Sequence, residues 1–172
     1  VQSVFVKHLV TSGWPPAGFL SNTQIFEKYV ASRLQESGHK IAFFMIDAMR
    51  YELGVELARN LSEAGNISIE PAFAAIPTVT PIGMTSLLPE AQSKLSLKNS
   101  GGDMVVMMGE TPIKNVQDRM KYIQSIYGSR FQQIKLDDVL IPGFRDNLKE
   151  DVELLVIRSN AVDAILETEY KA

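Results

Sequence analysis

Two short segments of this chain hold residue types that could do chemistry at phosphorus. In the first, Asp47 follows the unbroken apolar run Ile41-Ala42-Phe43-Phe44-Met45-Ile46. Such a run reads as a strand covered on both faces in a parallel sheet. Ligands of open parallel sheets gather beyond the carboxyl ends of the strands. A carboxylate in that place is costly unless it is paired, hydrogen-bonded or bound to a metal. Two readings stand side by side: a metal ligand, or an N-cap for a helix starting near Met49. Three positions later, Arg50 is placed either to grip a phosphate as a bidentate donor or to pair on the surface with Glu52 or Glu56.

The second segment is Pro77-Thr78-Val79-Thr80-Pro81. Its prolines fix the backbone, and Pro81 suits the first turn of a helix, which predicts Thr80 at the cap position. A hydroxyl there sits beside unpaired amides and the positive end of a helix dipole. As a cap it only closes the helix. With a metal to strip its proton it becomes an alkoxide that attacks phosphorus, while the helix amides hold the phosphoryl oxygens.

The elements that must position these residues follow from pattern. Ser21-Asn22-Thr23 precedes Ile25, Phe26, Tyr29, Val30 and Leu34, an N-capped amphipathic helix ending at Gly38. After Asp47, Leu53, Leu57, Ala58 and Leu61 repeat at helical spacing. Ile67 to Ala75 reads as a second strand closed by Pro77, with a short helix from Pro81 through Leu88. Gly101-Gly102 before Met104 to Met108 predicts a hairpin or an edge strand, and Val116 to Tyr127 a helix. Core packing is the default for that methionine run, against a soft-metal or interaction patch. Gln132 to Leu140 is weakly patterned, whereas Leu154-Leu155-Val156-Ile157 is a buried strand with a last helix after Asn160. The order is that of an α/β fold, a sheet of mostly parallel strands flanked by helices. Val1 to Leu20 ends in Ser12-Gly13-Trp14-Pro15-Pro16 and reads as an arm or linker, anchored by Trp14, ahead of a domain over 21–172.

With 172 residues, a net charge of −3 and ordinary Gly and Pro content, the chain is one globular domain or a large piece of a bigger one. That balance gives no support for a basic nucleic-acid surface, although phosphates could still be touched locally. The absence of cysteine excludes disulfides, thiolate metal sites and cysteine nucleophiles, and allows a reducing compartment; a cytoplasmic location is expected. No apolar run reaches the roughly 20 residues needed to span a bilayer. A start at Val1 without Met points to a cut chain.

Read together, Phe44 to Leu53 and Ala75 to Pro89 resemble the two leading motifs of the PglZ family. That family belongs to the alkaline phosphatase superfamily and is associated with bacterial phage-defence (BREX) systems. The resemblance covers Ile41 to Pro89 and resumes at Leu154 to Glu167, a strand followed by an Asp-x-x-x-Glu segment. It implies an alkaline-phosphatase-like fold and a two-metal hydrolase of phosphate esters, with zinc or manganese as the ions. Nucleotides or nucleic acid are the implied substrates, and other defence-system proteins the implied partners. By the same resemblance Asp47 is the first metal-binding aspartate, and Thr80 is the nucleophile and a metal ligand. Thr78 is the fallback, because the repeated Thr leaves the register open by two positions. Asp163 matches the next metal-binding aspartate. Glu167 stands where relatives such as nucleotide phosphodiesterases carry a histidine. An i, i+4 pair faces one way, so Asp163 and Glu167 either share an ion or belong to a solvated acidic face with Glu169.

The superfamily pattern also needs an Asp-His pair and usually another histidine nearer the C-terminus. The histidines here are His8 and His39, both ahead of the first strand. On this reading the chain is truncated near Ala172, lacks half of the metal site, binds metal weakly and is inactive alone. The sheet edge left by such a cut would favour a homodimer. The rival reading is a non-catalytic phosphatase-like scaffold in a defence complex, in which Asp47 and Thr80 only cap helices.

Overall fold

The computed structural model describes residues 1–169. The apolar run at Ile41 forms β1 (Ile41–Ile46), and further strands follow at β2 (Leu95–Ser100), β3 (Asp103–Met108), β4 (Thr111–Pro112), β5 (Phe131–Lys135) and β6 (Leu154–Ser159). They make two three-stranded sheets, one of order β1-β6-β5 and one of order β2-β3-β4. The first is parallel throughout, and its register aligns Met45 of β1 and Lys135 of β5 with Arg158 of β6. The second is antiparallel, its first turn made at Gly101 and Gly102 with φ of 65° and 97°. Positive φ at both turn residues matches the strand twist, which is why two glycines mark this hairpin.

The helices are α1 (Gln2–Ser12), α2 (Ser32–Leu34), α3 (Tyr51–Asn60), α4 (Thr80–Thr85), α5 (Ala91–Lys94), α6 (Val116–Tyr127), α7 (Leu136–Val139) and α8 (Ala161–Glu169). A helical run over 22–34 leads into β1. Ser21 caps it in a reciprocal box with Gln24, as the polar residues ahead of Ile25 predict. Asn115 caps α6, its side chain accepting from the Asp118 N–H at 2.9 Å.

Alternation along the parallel strands turns Ile41, Phe43, Met45, Leu154, Val156 and Phe131 to one face. Phe26 and Val30 of the 22–34 run and Met120 and Ile123 of α6 join them in the core, with Phe26, Ile123, Leu154 and Val156 fully buried. Phe26 meets Phe43 edge-on at 5.7 Å. The opposite face departs from the expectation of full cover, since Phe44 is 51% exposed. An apolar run shows that a strand tolerates burial on both faces; it does not supply the covering element. The apolar stripe of α3 is likewise uncovered: the helix buries no residue, and Leu53 and Leu57 remain half-exposed.

Residues 67–75 do not form the second strand that their composition predicts. The segment makes a single bridge, Ser21 to Phe73. The Phe73 N–H donates to Leu20 O at 2.8 Å, and the Trp14 indole donates to Ala74 O at 2.8 Å. Trp14 also packs edge-on against Phe73 at 5.1 Å. The arm thus bonds only Phe73 and Ala74 of the segment, and Pro71 offers no donor for a ladder. Within that arm α1 buries nothing. Among the described residues no helix is long and apolar enough to cross a membrane.

Candidate active site

The carboxyl end of β1 passes directly into the first candidate residue. The Asp47 N–H donates to Ser159 O at 2.9 Å, which extends the parallel ladder by one step. The chain then turns through Ala48 in the left-handed region at φ 57°, and an Asp47 carboxylate oxygen accepts from the Ala48 N–H at 2.9 Å. A left-handed alanine costs about 1–3 kcal/mol and persists only where its surroundings hold it. Helix α3 begins four residues after Asp47, with Arg50 as its N-cap residue and no side-chain cap. Asp47 is thus not a helix cap, which corrects one of its two readings. Arg50 faces Glu52 in a loose, exposed ion pair at 3.8 Å.

Thr80 also differs from its predicted capping place. The N-cap of α4 is Val79, extended at φ −115° and ψ 150°, and Thr80 is already the first helical residue with Pro81 behind it. The shift arises because the proline ring suits either of the first helical positions. Its consequence is that Thr80 is exposed and has no capping duty. Below it, α4 is seated by the buried Ile82 and Thr85, the Thr85 hydroxyl donating back to Pro81 O at 2.6 Å.

A cavity of about 550 Å³ at the carboxyl end of the parallel sheet is lined by Asp47, Arg50, Thr78, Thr80 and Asp163, with Met84 and Leu87 among its apolar walls. Asp163 reaches it from the first turn of α8, directly after β6. Five of the six candidates come from three separate segments and meet in one place. The sixth, Glu167, lies on α8, and its side chain is outside the described residues. Asp47, Asp163 and Thr80 offer two carboxylates and a hydroxyl, oxygen donors that suit a divalent cation in kind. In number they fall short of the four donors of a closed zinc site, and no group of three His, Cys, Asp or Glu side chains among the described residues could hold an ion.

A second cavity, of about 440 Å³, shares Asp47 and Met84 with the first and is lined also by Arg119, Lys135, Asp137 and Arg158. Arg119 is only 8% exposed. Burial pushes its guanidinium below the ordinary value, against the pull of Asp47, and the Arg158 charge adds to the depression. These basic residues escaped the sequence reading. Their signals were a charge within the inward stripe of α6, beside Met120 and Ile123, and a cation in the last two positions of each of two strands.

A parallel sheet flanked by helices is consistent with an alkaline-phosphatase-like domain. Residues 25–171 match the family described as the BREX system PglZ alkaline phosphatase-like domain, and the chain belongs to that family. The match starts within the 22–34 helical run, after the arm. No curated protein matches the chain.

Proposed function

We propose that this domain is the nucleophile-bearing part of a metal-dependent hydrolase of phosphate esters, acting on nucleotides or nucleic acid. The observation that carries this reading is the convergence of Asp47, Thr80 and Asp163 on one cavity. Thr80 is the attacking group, freed from capping and exposed at the cavity; Thr78, two residues away, is its fallback. Arg50 stands at the same cavity, where its guanidinium can take phosphoryl oxygens in place of its loose pair with Glu52. Asp47, Asp163 and the Thr80 hydroxyl would hold a zinc or manganese ion, which when bound lowers the hydroxyl pKa and neutralises phosphoryl charge. In this reading these donors form part of a two-ion site.

Manganese titration by calorimetry tests the metal half of the proposal, with Asp47→Asn and Asp163→Asn as variants and circular dichroism to verify folding. Heat in the wild type that is lost in both variants is expected. Hydrolysis of bis-p-nitrophenyl phosphate tests the nucleophile: Thr80→Ala should lower any metal-dependent rate by at least about 100-fold, and Thr78→Ala should not. Binding that survives both Asp variants would sink the assignment. The second reading, a scaffold within the defence complex, draws on the half-exposed apolar stripe of α3. An absence of metal binding in the wild type would favour it.

A further inference from the structure

We propose that the second cavity is an anion subsite, in which Arg119 and Arg158 hold a phosphoryl group of the substrate other than the one attacked. The substrate class is then one with at least two phosphoryl groups, a single-stranded oligonucleotide or a nucleoside polyphosphate. The subsite itself stands on its own geometry; its assignment to a substrate rests on the hydrolase reading above.

Arg119 is more than nine-tenths buried and lines the cavity, yet its Nε has no hydrogen-bond partner, and the same is true of the buried Arg158 Nε. None of the ion pairs among the described residues involves Arg119, Arg158 or Lys135. Guanidinium groups are seldom taken out of water without an anion, because the cost is recovered only through pairing and charge-assisted hydrogen bonds. The fold adds to that cost. The parallel register sets Lys135 directly beside Arg158, two like charges on neighbouring strands. Arg119 is the fourth residue of α6, close to the positive end of its dipole. Asp47 and Asp118 attract Arg119, but the carboxylates on the cavity wall, Asp47 and Asp137, are fewer than its three cations.

An oxyanion in the cavity supplies the counter-charge these cations lack. The guanidinium presents a planar fork of donors that matches phosphoryl oxygens. Position then selects the kind of anion. The subsite shares the wall made by Asp47 and Met84 with the cavity that holds Thr80 and Asp163. A group bound between Arg119 and Arg158 therefore lies next to the phosphoryl group at Thr80. Adjacent phosphoryl groups are what a polynucleotide backbone or a polyphosphate chain presents, and a simple phosphomonoester presents one alone.

The test is equilibrium binding of pyrophosphate and of tetrathymidylate to the 172-residue chain in EDTA, by calorimetry. With metal chelated, the result is independent of hydrolysis, so failure of the hydrolase reading would leave it intact. Arg119→Gln and Arg158→Gln should each weaken binding at least about tenfold, the scale of one lost charge-assisted contact. Each should also reduce the salt dependence of tetrathymidylate binding, by about 0.7 in log–log slope. Arg33→Gln, which removes an exposed charge paired with Glu36, should bind as the wild type does. Tighter binding of tetrathymidylate assigns an oligonucleotide strand, and tighter pyrophosphate binding assigns a polyphosphate. Wild-type affinity in both folded arginine variants, or no binding of either probe by the wild type, overturns the subsite.

Discussion

Arg119→Met tests the energetic reasoning behind the second cavity without any ligand. Arg119 is 8% exposed, and its Nε is buried and unpartnered. A buried donor without a partner costs about 1–3 kcal/mol, and a buried charge replaced by an apolar side chain of similar volume is often neutral to stabilising. Methionine keeps the apolar stem that lies beside Met120 and Ile123 and removes both penalties, together with the repulsion from Arg158. A gain of about 2 kcal/mol is expected, which raises Tm by roughly 4–8 °C for a domain of this size. The measurement is urea unfolding followed by far-ultraviolet circular dichroism, with the m-value checked for constancy. Pyrophosphate should then stabilise the wild type more than Arg119→Met, since a ligand stabilises a fold in proportion to how tightly it binds it. A loss of more than about 1 kcal/mol at unchanged m would refute the argument, because it would mean that the guanidinium is satisfied within the fold.

Ser21→Ala removes a capping box that closes the first turn of the 22–34 run and should cost about 1 kcal/mol in the same urea assay; an unchanged midpoint would show the cap to be idle. Glu90 supplies a pH dependence. Hydrogen bonding from Lys94 at 2.7 Å, partly opposed by burial, holds its carboxyl below the ordinary 4.5. A depressed carboxyl stabilises fully above its unfolded value and loses that contribution as pH falls through the folded value. The side chain is 43% exposed, so the effect should stay under about 1 kcal/mol. Glu90→Gln should flatten the stability profile below about pH 4.5 and leave its slope near neutrality unaltered, as thermal melts across pH would show.

Much of this fold is legible in local pattern. The apolar runs of β1 and β6, the glycine pair between β2 and β3, the helical period of α6 and the polar cap at Ser21 each declare themselves within a few residues, because propensity, turn chemistry and capping act over that range. The chemical residues are legible as types: a carboxylate closing a buried strand, and a threonine between prolines. Their exact duties are not. Asp47 and Thr80 each also read as a helix cap, and the backbone moved both off the cap, one by a left-handed turn at Ala48 and the other by starting α4 at Thr80 itself. Residues 67–75 misled for a related reason, since a strand exists only where another edge takes its hydrogen bonds along its length, and here a single bridge at Phe73 does so.

Only the tertiary structure decided which side chains share a space. Asp47, Thr80 and Asp163 lie far apart in the chain, and the parallel pairing of β1 with β6 brings two of them to one sheet edge. Arg119, Lys135 and Arg158 are unremarkable one by one, each a single cation beside apolar neighbours. The β5–β6 register and the seating of α6 place them together and bury Arg119. Local sequence encodes what a residue can do through its chemistry, whereas desolvation and charge proximity depend on distances in space, and those are set only when the whole chain has packed.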